Sequence, residues 1–279
     1  MTKPGENPEE TLQEVEGKAP EQEGEGTPTE GQPQAPPEIR LERGVSGVVD
    51  EELGGALVVV EGTDGSGRST HIMLLQEWLE SEGFAVQTMG LRRSNLVGKN
   101  IDQLLAQNTV TRLTLALMYA TDFFDQLEHV IIPALRSGMV VLADRYIYTL
   151  IARAAVRGIN RDYLNRVYEL ALRPDLTLWL KVKPEVAFER EFKKTGAISY
   201  WEAGRDMSLS SDLFKSFIKY QSMLRREFET MARRHTFTEV DGEAAIPEVS
   251  RELRQHIGAQ LGIKKISFKP SAALMHLWR

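Results

Sequence analysis

Cysteine is absent from this sequence of 279 residues, and so are long apolar runs. Without cysteine the chain forms neither disulfides nor thiolate metal sites. No apolar run approaches the ~20 residues that a membrane-spanning helix requires. The beginning of the chain also lacks the basic and apolar regions of a secretory signal and the arginine-rich bias of a transit peptide. We therefore expect a soluble protein located in the cytoplasm.

The first forty residues differ from the rest in composition. They contain ten Glu, no Asp, three Lys or Arg, seven of the twelve prolines and no aromatic residue. Such a segment cannot bury enough apolar surface to offset the entropy lost on ordering. We therefore predict a disordered acidic tail over residues 1–45, a folded domain over residues 54–262 and a basic, apolar C-terminal tail over residues 263–279.

The charge of the folded part argues against a general affinity for nucleic acid. The whole chain carries −6 and residues 1–40 carry −7, so the remaining residues carry about +1. Proteins that bind nucleic acid without sequence preference depend on an excess of basic residues.

Five short apolar runs divide the folded part, and most are continuous and rich in β-branched residues. They cover Ala56–Val60, Phe84–Met89, Met139–Ala143, Leu176–Leu180 and His235–Val240. Such runs are typical of strands buried on both faces of a parallel sheet. Helical patterns lie between them, over Ser69–Glu82, Val110–Leu135, Arg161–Leu172, Glu185–Lys194, Asp212–Arg234 and Pro247–Leu261. The alternation predicts an α/β fold of three layers, with a central five-stranded parallel sheet and helices on both faces.

A glycine-rich loop follows the first predicted strand and precedes the first predicted helix. Its sequence fits G-x-x-x-x-G-K-[ST], the P-loop pattern, except that Arg68 stands at the lysine position. Glycines let the backbone curl around phosphate, and the helix directs its N-terminal amides at the anion. The Ser69 hydroxyl is placed to bind Mg²⁺. The predicted phosphate-binding residues are Gly62, Thr63, Asp64, Gly65, Ser66, Gly67, Arg68, Ser69 and Thr70.

Arg68 bears differently on nucleotide binding and on catalysis. Arginine keeps the positive charge and binds phosphate through two parallel hydrogen bonds, but it is longer than lysine and planar. A displacement of about 1 Å at a reacting group can cost ~10²-fold in rate. The sequence therefore predicts nucleotide binding and leaves open whether Arg68 supports turnover.

Acidic and basic residues stand where strands end. Asp144 and Arg145 follow the predicted strand Met139–Ala143, at the edge of the sheet where ligands of such folds bind. The carboxylate of Asp144 is placed to hold Mg²⁺ or its water, and Arg145 to bind a second phosphate. Asp64, inside the loop, either bonds a sugar hydroxyl or water or serves only to form the turn.

These residues resemble those of the thymidylate kinases. The segments "VVVEGTDGSGRST", "VIIPAL", "VVLADRY" and "RPDLTLWLKVKPEVAFER" occur in the order and spacing of that family, over about residues 56–245. The resemblance implies Mg²⁺-dependent transfer of the γ-phosphoryl group of ATP to dTMP, in a homodimer packed through Val110–Leu135. It assigns catalytic roles to Asp64, Arg68, Arg145 and Arg205, with Asp64 near the acceptor sugar and Arg145 on its phosphate. The metal would lie between Ser69 and Asp144.

The departures from the family lie on the acceptor side. "MGLRRS" replaces Arg-Glu-Pro-Gly, Phe123 replaces an acceptor-contacting arginine, and Ala152–Ala155 replaces Ala-Tyr-Gln-Gly. Because the loop also lacks a basic residue at Gly65 and Ser66, a lid over about residues 195–212 is expected to supply Arg205. The predicted acceptor-binding residues are Asp64, Arg92, Phe123, Arg145 and Arg153.

Two alternatives to a dTMP kinase remain. Arg68 and the missing acceptor residues are also consistent with an ATP-binding module that has little or no catalytic activity. Phe123 and Arg153 are also consistent with a P-loop kinase for another nucleotide or nucleoside. A GTPase is disfavoured, because the C-terminal half contains no Asn-Lys-x-Asp sequence.

Overall fold

The computed structural model describes residues 53–264 and 268–278. Its five strands form one sheet in the order β2-β3-β1-β4-β5, and every neighbouring pair is parallel. The predicted parallel sheet is therefore confirmed, whereas the predicted tail over residues 1–45 lies outside the described residues. The strands are β1 (Ala56–Gly62), β2 (Val86–Gly90), β3 (Val140–Asp144), β4 (Leu176–Lys181) and β5 (Thr238–Asp241).

Helices cover both faces of the sheet, and this explains why the strands are apolar throughout. In β1, Leu57 and Val59 belong to one buried cluster, and Val58 and Val60 belong to another. Successive side chains of a strand point to opposite faces, so a strand buried on both sides must be apolar at every position. The helices are α1 (Arg68–Ser81), α2 (Gly98–Gln107), α3 (Arg112–Gln126), α4 (Ile132–Arg136), α5 (Ile147–Val156), α6 (Arg161–Val167), α7 (Pro184–Thr195), α8 (Leu213–His235), α9 (Ile246–Leu261) and α10 (Met275–Trp278).

Each layer of helices packs against one face of the sheet and forms one of the two buried clusters. Helices α1 and α9 supply the cluster that contains Val58 and Val60, whereas α3, α5 and α8 supply the other cluster. The second layer carries Asp122, Arg153 and Gln221, which are described below. No described helix is both long enough and apolar enough to cross a membrane.

Three parts of the fold differ from the sequence-based expectation. Helices α2, α5 and α10 were not predicted. The expected helix Val110–Leu135 is interrupted by a π-helical turn, Leu127–Ile131, because Pro133 has no N–H and cannot continue a regular α-helical ladder. His235 ends α8 and does not begin β5, and Thr236 ends the helix in the left-handed conformation, with φ 54°.

Candidate functional site

The carboxyl ends of the strands open onto a cavity of about 1290 Å³. Gly90 of β2 and Val60 of β1 pair with Asp144 of β3, so the loops after these three strands begin side by side. The structure brings eleven of the predicted site residues to the cavity wall. They are Asp64, Gly65, Ser66, Gly67, Arg68, Ser69, Thr70, Arg92, Asp144, Arg145 and Arg153.

The glycine-rich loop needs two of its glycines for different reasons. Gly65 has φ +77°, and a Cβ atom there would lie 2.2 Å from the carbonyl oxygen of Ala187 in α7. Gly67 has φ +92° and precedes α1. Only glycine adopts such angles without strain, so the loop curls and presents the N-terminal amides of α1 to the cavity.

Arg68 holds the loop together from inside. Its Nη1 atom donates to the carbonyl oxygens of Gly62 and Thr63, at 2.6 and 2.5 Å, and to Ser66 Oγ at 2.9 Å. Its Nε atom donates to Asp144 Oδ1 at 3.0 Å. Gly62 and Thr63 therefore serve the site through their backbone, behind the cavity wall. Among the described residues none accepts a hydrogen bond from Nη2, which leaves that atom for a phosphate oxygen.

Ser69 and Asp144 form a pair of oxygen ligands. The Ser69 hydroxyl donates to Asp144 Oδ2 at 2.9 Å. Burial opposes the charged form of Asp144, but Arg68 and Arg145 outweigh it and lower the pKa of this carboxyl group. Hard oxygen ligands of this kind suit Mg²⁺, which usually takes one or two protein ligands and the rest from phosphate and water. The pair therefore fits the metal that the loop implies.

Asp64 lies at the centre of a buried ionic cluster. Its Oδ1 atom accepts from Arg145 Nη2 at 2.5 Å and from Arg153 Nη2 at 2.8 Å. Its Oδ2 atom accepts from Gln221 Nε2 at 3.1 Å. Burial disfavours the charge on Asp64, yet the two guanidinium groups hold the pKa of this carboxyl group well below its usual value. One carboxylate between two arginines leaves an excess positive charge beside the cavity.

The backbone that follows Arg145 is fixed by a residue that the sequence did not suggest. Glu61 is fully buried and accepts from the backbone N–H groups of Tyr146 and Thr149, at 2.9 and 3.1 Å, and from the Thr149 hydroxyl at 2.5 Å. Arg145 itself has φ +77°. Non-glycine residues keep such angles only where their surroundings fix them, and Glu61 fixes the start of α5 at this point.

Arg92 is held in a similar way by Asp122. Its φ is +63°, and its backbone N–H donates to Asp122 Oδ2 at 2.7 Å. The same carboxylate accepts from the backbone N–H of Ser94 at 3.0 Å and from Gln126 Nε2 at 3.0 Å. Asp122 therefore shapes the loop that carries Arg92 and Arg93 to the cavity wall.

The lid, residues 195–212, lies against helices of the body. Arg157, which directly follows α5, donates from Nε and Nη2 to the carboxylate of Asp206, at 2.8 and 3.1 Å, and from Nη1 to the Tyr220 hydroxyl at 2.6 Å. Trp201 Nε1 donates to the carbonyl oxygen of Leu105 at 2.9 Å. These bonds join the lid to the end of α5 and to α2, and they join the end of α5 to α8.

The lid does not bring Arg205 to the cavity. Arg205 donates from Nη1 to the carbonyl oxygens of Ser210 and Ser211, at 3.0 and 2.8 Å, and it does not line the cavity. In this structure the guanidinium group of Arg205 bonds the lid's own backbone, and the catalytic role expected for it stays a prediction. Arg190 and Lys194 of α7 line the cavity instead.

The structure also argues against an acceptor contact by Phe123. This side chain is 1% exposed and packs edge-on against Tyr146 and Tyr168, with ring centroids 5.1 and 5.8 Å away. It lies in the apolar core and not in the cavity wall. Tyr119, one helical turn earlier in α3, lines the cavity in its place.

His71 lies beneath the glycine-rich loop without a hydrogen-bond partner for Nδ1 in the described part of the chain. Its ring is close to Gly67, and the residue is 4% exposed. Burial, together with the charges of Arg190 and Arg254, lowers the pKa of His71 to about 4. His71 is therefore neutral near pH 7.

Sequence reasoning missed several residues of this site. The spacing Arg153 to Arg157 is one helical turn and would have revealed Arg157 if α5 had been predicted. Tyr119 carries a similar signal relative to Phe123. Gln221 gave none, because a single glutamine in a long amphipathic helix looks like a surface residue.

Comparison with known sequences shows which proteins this chain is similar to. A sequence model described as thymidylate kinase matches residues 60–253. A probable thymidylate kinase 2 of Saccharolobus solfataricus is 36% identical over 205 residues, which is 73% of this chain and 96% of that protein. A probable thymidylate kinase of Archaeoglobus fulgidus is 32% identical over 216 residues, 76% of this chain and 99% of that protein. A thymidylate kinase of Caldicellulosiruptor saccharolyticus is 37% identical over 142 residues, 49% of this chain and 69% of that protein.

Proposed function

Because the chain belongs to the thymidylate kinase family, we propose that it transfers the γ-phosphoryl group of ATP to the phosphate of dTMP and so forms dTDP. The observation that carries this proposal is the meeting of two anion sites in one cavity. The glycine-rich loop with Arg68 lies on one side, and Arg145 and Arg153 lie on the other. Catalysis of phosphoryl transfer is largely the positioning of two such groups and the neutralisation of their charge.

The loop side suits the donor. The N-terminal amides of α1 and the Nη2 atom of Arg68 bind the phosphates of ATP. Ser69 and Asp144 would hold Mg²⁺, which supplies a positive charge that neutralises the phosphate oxygens during transfer. Arg68 also bonds Asp144 through Nε, so the guanidinium group and the carboxylate that would hold the metal keep a fixed distance from each other.

The opposite side suits the acceptor. In the part of the chain that the structure describes, the ion pairs of Arg145 and Arg153 share one carboxylate, that of Asp64, so the phosphate of dTMP meets two positive charges against one negative charge. Arginine binds phosphate through parallel hydrogen bonds, which fixes orientation as well as position. Arg92 lies on the same wall and extends this site. Arg190 and Lys194 are the basic residues that line the cavity from α7, on the N-terminal side of the lid.

The test is ADP formation from ATP and Mg²⁺ across a panel of nucleoside monophosphates and nucleosides, with ATP binding measured in parallel. We expect selective turnover of dTMP. Asp144→Asn should abolish most of this turnover, whereas Glu239→Gln, at an exposed ion pair far along the sheet, should leave it unchanged. Turnover of another acceptor would show that the substrate is that acceptor and not dTMP. ATP binding without any turnover would favour the nucleotide-binding module.

A homodimer and a cytoplasmic location belong to the same proposal. Leu113 and Leu117 of α3 are 50% and 41% exposed and lie one helical turn apart. A second copy packed on this helix would remove both side chains from water. Light scattering should show a dimer that Leu117→Glu dissociates. Met73→Glu, at an apolar residue of α1 with 43% exposure, is the matched control and should leave the dimer intact.

A further inference from the structure

Gln221 connects the glycine-rich loop to the lid. It lies in α8, is fully buried and stands behind the cavity wall. Its Oε1 atom accepts from the backbone N–H of Asp64 at 3.3 Å, and its Nε2 atom donates to Asp64 Oδ2 at 3.1 Å. The same Nε2 atom donates to the carbonyl oxygen of Glu202, in the lid, at 2.9 Å.

The partners determine how the amide of Gln221 is oriented. Nε2 faces a carboxylate oxygen and a carbonyl oxygen, which only accept, and Oε1 faces an N–H group, which only donates. A flipped amide would oppose like groups at all three contacts. Both N–H groups of the amide are therefore used, one on the loop and one on the lid.

Gln221 also fixes the rotation of the Asp64 carboxylate. The two arginines bind Oδ1, whereas Gln221 binds Oδ2. If Oδ2 lost its donor, a buried carboxylate oxygen would be left unsatisfied, and the carboxylate would turn about its bond to Cβ. Arg145 and Arg153 would then lose the carboxylate oxygen that positions both guanidinium groups.

We propose that Gln221 is a positioning residue that orients Asp64, and through it Arg145 and Arg153, when the lid lies over the cavity. The inference rests on the proposed function, because it assigns these arginines to the acceptor phosphate. The lid, when it takes up this position, completes the hydrogen bonding of Gln221 through Glu202. Closure of the lid and alignment of the acceptor site are then one event.

The experiment compares Gln221→Leu with Ser216→Ala. Ser216 is also buried in α8 and donates to the lid, at the carbonyl oxygen of Ala203 at 2.7 Å, but its hydroxyl group makes no bond to Asp64. Gln221→Leu should lower kcat/KM for dTMP by about tenfold or more, since small displacements of a reacting group are costly. The KM for ATP should not change. Ser216→Ala should lower the melting temperature and leave kcat/KM for dTMP near that of the wild type.

A second variant and a second measurement separate the possible failures. Gln221→Glu keeps the shape of the side chain and replaces both donors by an oxygen, so it should impair dTMP turnover at least as much as Gln221→Leu. The carboxyl carbon resonance of Asp64, assigned with Asp64→Asn and recorded at neutral pH, should shift in both variants because Oδ2 loses its donor. An unchanged resonance, or kinetics that match those of Ser216→Ala, would overturn the proposal. If the wild type does not phosphorylate dTMP, the proposed function fails, and the resonance still decides the role of Gln221.

Discussion

Replacing Arg68 tests whether the arginine of the glycine-rich loop serves structure, catalysis or both. Arg68→Met keeps an unbranched side chain but removes the charge and four hydrogen bonds, to two carbonyl oxygens, Ser66 and Asp144. We expect a large loss of stability, because Asp144 then keeps its charge without its partner.

The size of this loss follows from burial. Arg68 and Asp144 are 8% and 15% exposed. Removing one partner of a buried ion pair typically costs about 3–5 kcal/mol, and the partial exposure of Asp144 favours the lower end. A loss of about 3 kcal/mol in a domain of this size lowers the melting temperature by roughly 6–12 °C.

Arg68→Lys should separate the two roles. Arg68 bonds Asp144 through Nε and the loop carbonyls through Nη1, and the single nitrogen of a lysine cannot occupy both positions at the same time. We expect a loss of about 1–2 kcal/mol from one or two lost hydrogen bonds to a charged group. Turnover should be at least that of the wild type, because lysine is the residue that the P-loop pattern has at this position. Arg68→Met should lower turnover by about 10²-fold or more.

The assay pairs urea denaturation, followed by tryptophan fluorescence, with steady-state kinetics on the same preparations. Equal slopes of the free energy of unfolding against urea would show that the variants differ in stability and not in compactness. The reasoning is refuted if Arg68→Met unfolds within 1 kcal/mol, roughly, of the wild type, which is the range of exposed ion pairs. It is equally refuted if Arg68→Lys is more stable than the wild type.

Three further predictions concern the surroundings of the cavity. The unfolded chain binds a proton at His71 below pH about 6.5 while the folded protein does so only near pH 4, so the free energy of unfolding should fall by roughly 2 kcal/mol from pH 7 to pH 5; His71→Gln should flatten this dependence in urea titrations. Asp122→Ala removes the acceptor of three hydrogen bonds, and it should lower stability by about 2 kcal/mol or more and raise the KM for dTMP; Glu239→Ala, which breaks an exposed ion pair with Lys181, should do neither. Arg157→Lys loses the paired hydrogen bonds to Asp206, so trypsin should cut the lid faster than in the wild type.

The sequence determined the parts of this protein that depend on local pattern. The five apolar runs predicted the parallel sheet, because strands buried on both faces must be apolar at every position. The glycine spacing and the ends of β1 and β3 predicted the phosphate loop, Ser69 and Asp144, since parallel strands bring their carboxyl ends to one edge. The similarity to thymidylate kinases followed from the same segments.

Only the tertiary structure decided which long side chains reach the cavity. Arg205 was expected there because of its place in the lid, but the turn that carries it directs its guanidinium group to the lid backbone. Phe123 was expected there because of its place in α3, but it packs against Tyr146 and Tyr168 in the core.

Gln221 and Glu61 show most clearly what could not be predicted from the sequence. Gln221 is 157 residues from Asp64, and Glu61 is 88 residues from Thr149 along the chain. Each residue is polar in a segment where composition predicts either solvent or core, and each is buried only because a partner from another element satisfies it. Local sequence determines which hydrogen-bonding groups a residue offers, and the packing of distant elements determines which group each one meets.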